Sequence, residues 1–211
     1  MSKDWAKWHQ AYDDPGSSLS QRLAVVQSRL RELLSGMPAG PIKAISICAG
    51  QGRDLLGVLT DHPRSRDVSA LLVEVDPGLA AAARTAAARA KLEQVQVVEG
   101  DASMTDVYAG WAPADLVLVC GVFGNIADAD IKLTARTLPM LCRRGGAAIW
   151  TRHRRPPDLT PAIRSWFLES GFRELSFEAP DNESSSSIGT CRLVADPLPF
   201  RPGVRMFTFL K

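Results

Sequence analysis

One stretch constrains the fold of this chain more than any other: Ile45-Ser46-Ile47-Cys48-Ala49-Gly50-Gln51-Gly52-Arg53-Asp54. An apolar, β-branched run breaks into a glycine turn, and helix-forming residues follow at once. A second apolar run, Ala70-Leu71-Leu72-Val73-Glu74-Val75-Asp76, comes next and ends in acid. A strand, a glycine turn, a helix and a second strand closing on a carboxylate describe a nucleotide-type pocket. The details of the turn have to say which nucleotide.

The rest of the chain repeats the alternation. Apolar runs predict strands at 43–48, 69–75, 94–99, 115–120, 147–151 and 172–177, and a final strand at 204–210. Helical spacing predicts helices from about Gln51, over the alanine-rich 79–92, over 128–142 and from Thr160 to Gly171. Asp76 is placed to cap the helix that Pro77 begins. Near-continuous apolar strands separated by helices predict an α/β fold: a mostly parallel, doubly wound sheet of seven strands with helices on both faces. The polar, serine- and proline-rich 180–202 holds no helix, so the last strand is expected to return antiparallel.

A helical extension of residues 1–40 precedes the first strand, and 41–211 form the core of a single domain. Ser18 or Ser20 is placed to cap the extension's helix, which carries Leu19, Leu23, Val26, Leu30 and Leu33-Leu34. Trp5, Trp8, His9 and Tyr12 lie ahead of it, where they either form a flap over the pocket or anchor the extension to the body. With 45% hydrophobic and 23% charged residues among 211, the composition is that of a soluble globular protein. A net charge of +2 gives no global attraction to nucleic acid or membrane. No signal-like segment or run approaching the ~20 apolar residues of a membrane span is present. Cys48, Cys120, Cys142 and Cys191 show no metal-ligand spacing and read as reduced thiols of a cytoplasmic protein; no metal site is expected.

A dinucleotide turn needs Gly-x-Gly-x-x-Gly so that a helix can approach a pyrophosphate. Here the third glycine is Leu55, and Asp54 sits on the first helical turn. An acid there opposes a diphosphate and suits a nucleoside ligand bearing an amino group.

With these features the sequence resembles the class I S-adenosylmethionine-dependent methyltransferases over residues 43 to about 178. The resemblance implies roles residue by residue. Cys48, Ala49, Gly50 and Gly52, with Asp54 beyond, match the turn along the methionine part of the cofactor. Glu74 matches the acid that holds the ribose hydroxyls, with Val75 beside it, and Asp76-Pro77 begins the next helix. Asp101 and Ala102 match the segment that meets the adenine. Cys120, Gly121 and Val122 end the fourth strand beside the sulfonium. Two departures stand out: Ser46 replaces the family's usual first-strand acid, and Cys48 replaces the first glycine. Arg53, Asp54, Tyr12 and Arg22 are the candidates to hold the cofactor's amino-acid end instead.

The acceptor is expected to be a small molecule. The Asn/Asp-Pro-Pro-Tyr/Phe motif of amino-group methylation is missing after the fourth strand, as is a Pro-Cys nucleophile. Tyr12, Phe123 and Asn125 are candidate substrate residues, and His153, which titrates near neutrality, is a candidate base. Two alternatives remain: an RNA methyltransferase using Arg152, Arg154 and Arg155 with Arg143 and Arg144, or a nucleotide-binding protein or dehydrogenase without methyl transfer.

Overall fold

The computed structural model describes residues 10–179 and 186–210. Its sheet has seven strands: β1 (Ile42–Ile47), β2 (Val68–Glu74), β3 (Val95–Glu99), β4 (Ala114–Val119), β5 (Cys142–His153), β6 (Phe172–Glu178) and β7 (Ser186–Leu193). The order is β3-β2-β1-β4-β5-β7-β6. β1 to β5 run parallel, and β7 enters antiparallel between β5 and β6. Five α-helices connect or cover them: α1 (Ser18–Gly36), α2 (Arg53–Leu59), α3 (Pro77–Arg89), α4 (Asp128–Leu141) and α5 (Thr160–Glu169).

Strand side chains alternate between two cores, one on each face of the sheet. Ala44, Leu116 and Leu118 pack with the apolar residues of α1, α2 and α3. Ile45, Ile47, Val117 and Val119 pack with α4, α5 and the C-terminal segment. The buried runs that suggested parallel strands are therefore covered on both sides.

Helix α1 is fixed to the body. It buries Val26, Leu30, Leu33 and Leu34, and at about 1.5–3 kcal/mol per buried side chain this burial holds it firmly. Its cap is Ser17, whose side chain accepts from the Ser20 amide at 3.1 Å, rather than Ser18 or Ser20. The Asp76 cap of α3 is as predicted, accepting from the Leu79 amide at 2.9 Å. Trp5, Trp8 and His9 lie outside the described residues.

The last strand is not where the sequence places it. The β-rich segment 204–210 makes only two isolated bridges, Met104 to Arg205 and Ile126 to Phe209. It is a strap: the Met206 amide donates to Ser103 O, the Leu210 amide to Asn125 O, and Met206 and Phe207 are buried. The true seventh strand is β7, drawn from the serine-rich stretch expected to be loop. Its residues from Ser187 to Cys191 are buried between the β5 and β6 ladders, where backbone pairing and cover from both sides outweigh the polar composition.

Candidate active site

A cleft opens at the carboxyl ends of β1, β2 and β4, where a doubly wound sheet offers its ligand site. It holds about 950 Å³ of empty space, counting the part open to solvent.

The β1 turn forms one wall. Its backbone is left-handed at Cys48 (φ 53°), Gly50 (φ 57°) and Gly52 (φ 70°). Gly52 has no room for a side chain, since a Cβ there would lie 2.7 Å from Leu72 Cδ2. Cys48 adopts a conformation that costs a non-glycine residue energy. The turn is held from below by Glu74, which is only 7% exposed. One carboxylate oxygen accepts from the Gly50 amide at 2.7 Å, the other from the Asp76 amide at 2.9 Å. A carboxylate has about four acceptor positions, so two remain for hydroxyls above it. Val75 beside it is apolar and 63% exposed, and Leu79 continues that surface.

The opposite end of the cleft is polar. Arg22 of α1, 8% exposed, donates to the Tyr12 hydroxyl. Both line the cleft with Asp54 and Cys120. Burial pushes the Asp54 carboxyl up, opposed by the Leu55 amide and the Arg22 charge. Burial likewise raises Tyr12, with Arg22 opposing. The Cys48 and Cys120 thiols are raised by burial and by neighbouring acids, Glu74 and Asp54 respectively, which keeps them protonated and unreactive.

Sequence-predicted residues divide into three groups. Cys48, Ala49, Gly50, Asp54, Glu74, Val75, Cys120, Gly121 and Tyr12 meet at the cleft, with Gly52 in the turn behind it. Asp101 lies at its margin rather than in its lining. It is an Asx turn accepting from the Ser103 amide at 2.9 Å and hydroxyl at 2.6 Å, and it pairs with Arg205 at 3.2 Å. Partial burial opposes its ionisation, but these donors outweigh it and hold the carboxyl below its ordinary range. The third group is buried. Ala102 and Val122 are in the core, and Phe123, expected to meet substrate, packs against Trp150 and Phe167 at centroid distances of 6.1 and 6.3 Å. The Phe123 expectation is corrected on that ground: its ring joins an aromatic cluster beneath β5.

Asn125 donates to Gly121 O at 2.7 Å, and the Gly121 amide donates to Thr151 Oγ1 at 2.8 Å, so the β4 turn is braced from two sides. His153, at the end of β5, sits against that turn; a Cβ on Gly124 would lie 3.5 Å from its ring. Its Nδ1 is buried without a hydrogen bond. Burial, then the charges of Arg152 and Arg155, lower its pKa, with Asp158 opposing, so the neutral imidazole is favoured.

Four of the five clustered arginines are engaged within the protein. Arg143 pairs with Asp115, Arg144 with Asp196 at 2.8 Å and Arg154 with Asp158 at 3.3 Å, while Arg152 donates to Phe123 O. Leu23, Val26, Gln51 and Phe209 also line the cleft. Phe209 was invisible to motif reasoning because the strap that carries it reads as a strand. Among the described residues no three His, Cys, Asp or Glu side chains gather as metal ligands, and no helix is long and apolar enough to cross a membrane.

No protein-family model matches the chain, and no curated protein matches it in sequence. Solved structures do. Magnesium protoporphyrin IX methyltransferase from Synechocystis, solved with bound S-adenosylmethionine, superposes with a TM-score of 0.67 at 15% identity, covering 90% of this chain and 91% of that one. The 1,6-didemethyltoxoflavin-N1-methyltransferase of Burkholderia thailandensis, solved with bound 1,6-didemethyltoxoflavin and S-adenosylhomocysteine, gives 0.64 at 15%, over 90% and 87%. A protein of Bordetella parapertussis described as a possible exported protein gives 0.63 at 20%, over 83% and 68%. The chain therefore has the class I methyltransferase fold, a Rossmann-like α/β architecture with an antiparallel strand inserted near one edge.

Proposed function

We propose that the protein is an S-adenosylmethionine-dependent methyltransferase acting on a small-molecule acceptor, with S-adenosylhomocysteine as product. One observation carries this. The buried carboxylate of Glu74 secures the glycine turn through Gly50 and still offers acceptor positions to the cleft, beside an exposed apolar Val75. That combination fits a nucleoside: vicinal hydroxyls on the acid, a flat base on the valine and Leu79. Asp54 at the other end disfavours a diphosphate, which argues against the dehydrogenase alternative.

When bound, the cofactor supplies an electrophilic methyl on a sulfonium. The protein's part is to align an acceptor with it and exclude water. Glu74, Gly50 and Ala49 hold the nucleoside side, and Asp101, at the cleft margin, lies beside the base. Cys120 and Gly121 form the floor where the methyl is presented, Gly121 (φ 76°) lying open because it carries no side chain. The rings of Tyr12 and Phe209 shield the opening. His153, kept neutral and packed against Gly124 beside the cleft rather than in its lining, is the proposed acceptor of any proton the reaction releases.

The engaged arginines favour a small acceptor over RNA, since ion pairs already made must be broken before a phosphate is bound. Four free thiols agree with a cytoplasmic, reducing compartment. Calorimetry tests the cofactor: S-adenosylhomocysteine should bind and NAD should not, and the reverse overturns the proposal. A screen for labelled methyl transfer onto extracted metabolites identifies the acceptor. Transfer only onto RNA would replace the small-molecule assignment.

A further inference from the structure

A cavity separate from the cleft lies between α5 and the outer strands β5, β7 and β6, of which β6 is the sheet edge. It holds about 800 Å³ of empty space, counting the part open to solvent, and shares no lining residue with the cleft. The geometry points to this cavity as a second binding site, for a neutral planar heteroaromatic molecule with a lactam-type edge, a carbonyl beside an N–H. The inference stands independently of the methyltransferase proposal.

Trp150, Phe167 and Phe172 line the cavity, and none is more than 2% exposed. The three rings lock one another: Trp150 stacks on Phe167 at 5.8 Å and 21°, and Phe167 meets Phe172 edge-on at 5.4 Å. Rings already fixed by packing lose little freedom when a ligand arrives. Ser165 of α5 and Cys191 of β7 also line the space. Their small side chains leave the volume between the rings unfilled. Cys191 donates to Ala148 O at 3.6 Å, and burial holds its thiol well above the ordinary range, so it is an inert surface and not a nucleophile. Leu168, 69% exposed, adds an apolar rim. Flat, rigid, apolar walls of this kind suit an aromatic ligand.

The polar groups of the cavity select which aromatic ligand. Arg164 of α5 and Glu174 of β6 pair in bidentate fashion, Nε with Oε2 and Nη2 with Oε1, both at 2.7 Å. The guanidinium also lies over the Phe177 ring at 4.6 Å, which fixes its plane. The pair carries no net charge, so an anionic or cationic ligand would lose hydration without meeting an unmatched partner. Its hydrogen-bonding capacity is not used up. Arg164 gives two of its five N–H groups to Glu174, and the carboxylate keeps about two of its four acceptor positions. Both side chains line the cavity and are 44% and 39% exposed, so these remaining positions are within reach of a ligand. Donors on one side and acceptors on the other match a lactam, whose carbonyl accepts and whose N–H donates.

The test uses quinolin-2-one, a neutral bicyclic lactam. Calorimetry on the full chain should show saturable one-to-one binding with a Kd below about 1 mM. Saturating S-adenosylhomocysteine should leave that affinity within about twofold, since cavity and cleft share no residue. Quinoline-2-carboxylate keeps the rings but carries a charge, and should bind at least about tenfold more weakly. Ser165→Phe, at an exposed helix position, should fill the cavity and abolish binding. Arg164→Met should weaken binding about fivefold through the lost donors. Absence of saturable quinolin-2-one binding would overturn the site. Displacement by S-adenosylhomocysteine would move the probe into the cleft and overturn it equally. Tighter binding of the carboxylate would overturn the neutral-ligand assignment. If Ser165→Phe fails to fold, Arg164→Met decides, and unchanged affinity in that variant overturns the proposal.

Discussion

The half of the sheet built from β1 to β4 and the half built from β5 to β7 treat their polar groups differently. In the first half, buried acids are consumed by backbone. Glu74 takes the Gly50 and Asp76 amides, and Asp115 takes the Lys43 amide at 2.7 Å together with Arg143, tying β1, β4 and β5. In the second half, polar atoms are left over. Of eight buried side-chain polar atoms without a hydrogen bond among the described residues, seven belong to β5, β6 and β7: Arg152, His153, Ser176, Glu178, Ser187, Thr190 and Arg192. The eighth, Arg29 Nε, lies 2.6 Å from Glu178 Oε1, close enough to pair though poorly aligned. Buried polar atoms are rarely left unpaired, and those that are call for water or ligand. The first half thus reads as a finished frame for a fixed ligand. The second leaves these seven atoms buried and unpaired within the protein.

The largest test is Glu74→Ala. Losing two charged contacts to the ribose at about 1.5–3 kcal/mol each should cut S-adenosylhomocysteine affinity at least a hundredfold. The same change orphans the Gly50 and Asp76 amides, so urea denaturation should show a stability loss of about 2–6 kcal/mol. Weaker binding with unchanged stability would mean that the acid is a ligand group alone and that the frame is not self-satisfied.

Gly189→Ala comes next and probes the other half. A Cβ there would lie 2.2 Å from Trp150 Cε2. That indole stacks on Phe167 at 5.8 Å, so it cannot swing aside. Overpacking of this kind costs about 1–3 kcal/mol, measurable as a lower urea midpoint. A neutral result would show that the leftover polar groups mark a loosely packed half.

Legibility in the sequence follows the same division. β1, β2, β4 and the glycine turn were readable because parallel strands covered on both faces must be continuously apolar, and because a carboxylate has one obvious use at a strand end. β6 was read correctly from the run at 172–177, but β7 was not. Ser186, Ser187, Gly189 and Thr190 form a strand only because β5 and β6 supply ladders on both sides, and that tertiary context leaves no periodicity. The strap misled in the opposite direction: Val204, Met206, Phe207 and Phe209 carry strand composition, but Met206 and Phe207 plug the core and Phe209 lines the cleft. In the site, Glu74 was legible and Arg22 was one candidate among four. Helical spacing placed Arg22 on α1, and only the packing of α1 brings its guanidinium to the cleft.

Two hydroxyls set the halves against each other directly. Thr105, just after β3, donates to Arg201 O at 2.7 Å and accepts from the Val204 amide at 3.0 Å. Ser187 on β7 is equally buried and has no partner. Thr105→Val should cost about 1–3 kcal/mol, since it orphans a backbone amide. Ser187→Ala should stay within about 0.5 kcal/mol or stabilise slightly, because nothing is left behind. Paired denaturation curves measure the difference. Equal losses would erase the contrast.

His153 gives the smallest effect, because its ring is partly exposed. Burial and the charges of Arg152 and Arg155 lower its folded pKa below the ordinary 6.5, against Asp158. The unfolded chain then binds the proton more readily, so stability rises with pH between the folded value and 6.5 and is flat above it. His153→Gln should remove that slope, seen as a wild-type minus variant difference that shrinks as pH falls below 6.5. A wild-type curve gaining stability on acidification would reverse the sign and give the ring an acidic partner. For catalysis the same shift predicts methyl transfer already at its plateau at pH 7, with a fall only in acid. In His153→Gln a base role leaves a low rate that no longer follows that fall. Full rate at every pH would instead assign the proton to solvent, and His153 to bracing the β4 turn.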